Sequence, residues 1–102
     1  MNGRYKLDGK TPVEVDDLME WAKWMEAADR YVGKTSVGVV KVSTVFLGLD
    51  HGFGSHHPVL FETMVFGGKL DQDDERYSTW DAAEAGHVRW VEKVRQVEAS
   101  AP

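Results

Sequence analysis

The stretch from Val39 to Gly68, VVKVSTVFLGLDHGFGSHHPVLFETMVFGG, constrains the fold more than any other part of the chain. Val37 to Asp50 and Val59 to Phe66 are rich in β-branched and aromatic residues, as strands are. They predict a long antiparallel hairpin over about 38–50 and 58–67. Alternation divides the first run into Val40, Val42, Thr44, Phe46 and, opposite, Val39, Lys41, Ser43, Val45, Leu47, Leu49. The second divides into Val59, Phe61, Thr63, Val65 and Leu60, Glu62, Met64, Phe66. Neither face is polar throughout, and strands apolar on both faces are normally covered on both. Helices can cover one face. The other needs a second chain, or a sheet that curls and closes on itself; a homo-oligomer is the expectation, because large exposed apolar patches are uncommon on monomers.

Two helices are expected to supply that cover. Asp17 followed by Glu20 fits a capping box, with acidic side chains at the positive end of the helix dipole. Leu18, Trp21, Ala22, Met25, Ala28 and Val32 recur at helical spacing, and Gly33 is a plausible stop. This predicts a helix over 17–32. Ser78-Thr79-Trp80-Asp81 opens a second, over 79–98, whose stripe is Trp80, Ala83, His87, Val91 and Val94. Gly86 within it predicts close approach of another element, since glycine costs a helix about 1 kcal/mol relative to alanine. Ahead of both, Arg4–Leu7, the turn signal Asp8-Gly9 and Val13–Val15 suggest a small ribbon. The acidic run from Lys69 to Arg76 is expected to be a solvated loop. The fold class is therefore α+β, one domain over 1–102, with an antiparallel sheet packed by two amphipathic helices.

Composition excludes several functions. Twelve Lys and Arg against 17 Asp and Glu give a net charge of −5, against the clustered basic charge that nucleic-acid binding requires. With no Cys there is no thiolate nucleophile or thiolate metal site. No apolar run approaches membrane-spanning length and no signal core is visible, so a cytoplasmic protein without a membrane partner is the expectation.

The residues that could carry chemistry are few. The loop from Asp50 to Pro58 holds His51, His56 and His57, and with Asp50 or Glu62 these form a possible transition-metal set. Their spacing matches no specific ligand pattern, so the metal is unknown and no cofactor is expected. His87 lies on the apolar stripe of the second helix. It is expected either as a core histidine or as part of a polar pocket with Asp50, His51 or Glu62. Tyr77 is a candidate for stacking a planar ligand, and Trp24 and Trp90 are candidates for an interface. Ala28–Thr35 imitates a relaxed phosphate loop, but there a strand must lead in and a helix lead out. Here the order is reversed, and nucleotide hydrolysis is set aside.

Taken together, VSTVFLGLDH, FETMVFGG and RYSTWDAAEAGH resemble segments of small proteins encoded by tailed bacteriophages and prophages, over about residues 5–95. The resemblance carries no catalytic residues with it. It implies an accessory role inside an infected bacterium, such as inhibition of a host defence by sequestering a nucleotide signal. The function expected is a non-enzymatic homo-oligomer binding a small ligand or host protein. A metal-dependent hydrolase using the histidine loop and a minor virion or assembly component are the alternatives.

Overall fold

The computed structural model describes residues 2–52 and 57–100. It is α+β, with a two-stranded and a four-stranded antiparallel sheet and two helices. The elements run β1 (Tyr5–Asp8), β2 (Thr11–Glu14), α1 (Leu18–Ala27), β3 (Tyr31–Val37), β4 (Val40–Phe46), β5 (Phe61–Phe66), β6 (Asp74–Tyr77) and α2 (Trp80–Ala99). The larger sheet has the order β3-β4-β5-β6, a meander in which each strand pairs with the next.

The expected hairpin forms its centre. β4 pairs with β5 from Lys41↔Phe66 to Phe46↔Phe61. Backbone bonds from Leu47 N–H to Leu60 C=O (2.7 Å) and from His51 N–H to Val59 C=O (2.9 Å) carry the pairing toward the loop. The first run is broken, however. Gly38, at φ +60°, and Val39 make a two-residue turn, and Tyr31–Val37 folds back as β3.

That corrects the first helix. α1 ends at Ala27, and Ala28 is already extended. Asp29 Oδ1 then accepts the Tyr31 N–H (3.0 Å) and Arg30 C=O accepts the Phe46 N–H (2.8 Å), which turns the chain into the sheet. Val32 and Gly33 therefore lie in a strand, with a bulge between Tyr31 and Gly33. A second correction concerns the acidic run: its end, Asp74–Tyr77, is an edge strand on β5.

The helices also divide their work differently from expectation. α2 alone packs across the four-stranded sheet, with Ala83, Gly86, His87, Val91 and Val94 buried. Its N-cap is Thr79, whose hydroxyl accepts the Ala82 N–H at 3.1 Å. No residue of α1 is buried, and Leu18 on its stripe is 55% exposed. α1 instead leans on β1, where Trp21 Nε1–H is shared between the carbonyls of Tyr5 and Gly48 (3.1 Å each). Gly48 lies against the end of the Met25 side chain, and its φ of +78° is the backbone conformation that favours glycine.

Among the described residues, the opposite sheet face carries no helix. Register places Tyr31, Lys34 and Ser36 of β3 there, beside Lys41, Ser43 and Val45 of β4. Glu62, Met64 and Phe66 of β5 and Asp74 and Arg76 of β6 complete it. Tyr31 and Phe66 are each 47% exposed. Among the described residues, nothing caps this side.

Candidate functional site

On the helix-facing side, side chains of the four strands form transverse rows. One row is apolar and belongs to the cluster of Val40, Val42, Val65, Val91 and Val94. Another holds Phe46 and Phe61, within the cluster of Leu60, Tyr77 and Ala83. Between them the register aligns Gly33, Thr44, Thr63 and Glu75, one from each strand. Two of these are buried threonines in otherwise apolar runs. A polar row thus crosses the core beneath α2.

Hydrogen bonds join it end to end. Thr35 Oγ1 lies 2.8 Å from His87 Nε2, and His87 Nδ1 lies 2.8 Å from Thr44 Oγ1. Thr44 and Thr63 are bonded through their hydroxyls. The Tyr77 hydroxyl lies 3.0 Å from Thr63 Oγ1 and 3.1 Å from Glu75 Oε1. Glu75 Oε1 also accepts from Trp90 Nε1–H (2.9 Å) and the Arg89 guanidinium (3.3 Å).

Two glycines make room for this. The Gly33 Cα faces the His87 imidazole so closely that a Cβ would sit 2.7 Å from the ring. Gly86 admits the Tyr77 hydroxyl to the helix surface in the same way, as its place in the helix predicts.

The protons can be assigned by counting. An ionised carboxylate only accepts, so the single phenolic proton of Tyr77 goes to Glu75. Thr63 must then donate to the Tyr77 oxygen, and Thr44 to Thr63. His87 Nδ1–H follows as donor to Thr44, which leaves Nε2 bare to accept from Thr35. Every bond points toward Glu75. The ionisation states agree with this. Burial disfavours charge on Glu75, but donation by Trp90, Tyr77 and Arg89 outweighs it and holds the carboxyl below its ordinary 4.5. Burial lowers His87 from 6.5, favouring neutral imidazole. Burial, joined by the Glu75 charge, raises the Tyr77 phenol above 10.0, while donation from Thr63 opposes the shift.

The residues expected to form a site are dispersed. His87 is a core histidine held by two threonines, and it meets neither Asp50, His51 nor Glu62. Glu62 lies on the open face, paired with Arg76 Nε at 3.0 Å. Asp50 organises its own loop, its Oδ1 accepting N–H from Gly52 (2.7 Å) and Val59 (2.9 Å). His51 Nδ1 lies 2.8 Å from the Leu49 carbonyl. His57 is exposed, and His56 lies outside the described residues. Among the described residues no group of three or more His, Asp or Glu could hold a metal. Tyr77, expected to stack a ligand, is 7% exposed and belongs to the core. Trp24, expected at an interface, packs edge-on against Phe46 at 5.7 Å. Trp90 is half-buried, with Lys93 over its ring at 4.7 Å.

Sequence reasoning missed Thr35, Thr44, Thr63 and Glu75. A signal was present in the alternation: Val40, Val42, Thr44, Phe46 and Phe61, Thr63, Val65 each place one hydroxyl at an interior position.

Among the described residues, a cleft lies at each end of the polar row, beside α2. One, of about 510 Å³, is lined by Asp74, Glu75, Arg89, Trp90 and Lys93. The other, of about 400 Å³, is lined by Thr35, His87, Val88, Val91, Glu92 and Arg95. The polar row runs from one to the other. No protein-family model matches the chain, and comparison with curated proteins and with solved structures finds no match in either.

Proposed function

We propose that the protein is a non-catalytic, homodimeric binding module in which two copies pair through the open sheet face. The observation that carries this is the composition of that face. Tyr31, Val45, Met64 and Phe66 give it apolar side chains, Lys34 and Lys41 lie on β3 and β4, Asp74 lies on β6, and Glu62 of β5 is paired with Arg76 of β6. A two-fold axis parallel to the strands sets β3 of one copy against β6 of the other, so Lys34 meets Asp74 of the partner copy. Edge-to-edge pairing is the poorer choice. β3 carries Lys34 and a bulge, and β6 is four residues long and acidic at Asp74 and Glu75, all features that blunt sheet edges. Four strands spaced about 4.8 Å and six residues rising about 3.3 Å each make a face of roughly 400 Å² in projection. That is about half of the roughly 800 Å² per partner of a standard interface and belongs with weak, transient pairings, so association should be reversible and concentration-dependent.

The resemblance to tailed-phage proteins supports a setting in the cytoplasm of an infected bacterium. There a dimer without catalysis acts by occupying a host protein or a small signal. Light scattering across micromolar to sub-millimolar concentrations tests the dimer. Mass should rise toward twice the monomer, M64E should abolish the rise, and K34E should weaken it until combined with D74K. A wild-type protein that stays monomeric throughout would sink this reading.

A further inference from the structure

We infer that the cleft between β3 and α2 is a binding site for a small, neutral, largely apolar molecule carrying one hydroxyl or N–H donor, of the alkylphenol type. The site lies on the helix side of the sheet, away from the proposed pairing face, and does not depend on dimerisation. Its walls are Val88, which is 65% exposed at the mouth, and Val91, which is 8% exposed deeper in. Its volume of about 400 Å³ falls within the range of ligand pockets.

The donor requirement comes from the direction of the polar row. Glu75 can only accept, so each proton in the chain of hydrogen bonds is turned toward it. At the far end the Thr35 proton is spent on His87 Nε2, and that nitrogen's lone pair is spent on Thr35. What the row itself leaves for a molecule in the cleft is the unshared electron density of Thr35 Oγ1. Thr35 thus offers the cleft an acceptor among apolar neighbours, its direction fixed by the carboxylate at the other end of the row. A ligand with a donor completes the chain. A ligand of equal shape without one leaves Thr35 under-bonded and gains only the apolar contact. Glu92 and Arg95 stand exposed at the rim. Carrying opposite charges, they give the mouth no net preference for an ion, which fits a neutral occupant.

The cleft at the other end is a weaker candidate. Its Arg89 is engaged with Glu75, and its Lys93 lies over Trp90.

The test titrates 4-ethylphenol and its methyl ether, 4-ethylanisole, while following valine methyl resonances by NMR. The phenol should move the Val88 and Val91 methyls saturably, binding about fivefold tighter than the ether, the ratio that a net hydrogen bond of about 1 kcal/mol yields. T35V keeps the shape of the side chain and removes its acceptor, so the phenol should fall to the affinity of the ether. V88K projects from an exposed position, leaves the core untouched and should weaken both compounds. Equal affinity of phenol and ether for the wild type, or methyl shifts that avoid Val88 and Val91, would overturn the assignment.

Discussion

The His87 ring occupies the space that a side chain at Gly33 would take, 2.7 Å from the position of its Cβ. Thr35 and Thr44 hold the ring from either nitrogen, so it has little freedom to move aside. Gly33→Ala should therefore destabilise the fold by about 1–3 kcal/mol, the usual cost of overpacking a core. A lower urea midpoint at unchanged slope would report it. G33A as stable as wild type would mean that the ring is not pinned.

Thr44 and Thr63 should behave as one unit. Thr63→Val leaves the Thr44 proton without an acceptor and the Tyr77 oxygen without a donor, at about 1–3 kcal/mol for buried groups left unpaired. Thr44→Val should cost a similar amount by stranding His87 Nδ1–H. The double variant removes both hydroxyls and should cost clearly less than the sum, with a coupling in the range of about 0.5–3 kcal/mol. Strict additivity in a double-mutant cycle would contradict a continuous row.

Stability should fall in acid in two steps. A depressed folded pKa means that the unfolded chain binds the proton first, so stability rises with pH across that window. For His87 the contribution is complete above 6.5 and declines as pH falls from there through its lower folded value. For Glu75 it is complete above 4.5 and declines below that in the same way. Urea midpoints between neutral and strongly acid pH should show both steps. H87Q should lose the upper one alone, and E75Q the lower.

Much of this architecture was legible in the chain, and the failures have physical causes. The β4–β5 hairpin and α2 stand out because their apolar periods run long without interruption. β3 was hidden because Val32 happens to continue the helical period of α1, and Gly33 looks like a helix stop. The structure uses that glycine to admit an imidazole from a helix more than fifty residues away. β6 was hidden because its four residues end an acidic run, and strand pairing overrides that local preference. The polar row depends on the register of four strands at once, which no single run specifies. The histidine loop drew attention as a site, although His51 and Asp50 bond within their own loop.

Asp50 yields a prediction of its own. Its carboxylate receives the N–H groups of Gly52 and Val59 and so closes the base of the loop. Asp50→Ala should cost about 1.5–3 kcal/mol, as expected for hydrogen bonds to a charged acceptor. Asp50→Asn keeps an acceptor oxygen and should cost less. Amide exchange at Val59 should accelerate in D50A, and unchanged protection there would argue that other contacts close the loop.

The position of the threonines has a consequence for how the strands find one another. A slip of one residue between β4 and β5 would turn every side chain to the wrong face and is excluded by burial alone. A slip of two keeps the faces, and a core of valines alone would tolerate it. With Thr44 opposite Thr63, that slip places each hydroxyl beside a hydrocarbon and leaves His87 and Tyr77 without their partners. The row acts as a key cut across the sheet: it admits one alignment of the four strands and rejects its nearest competitor.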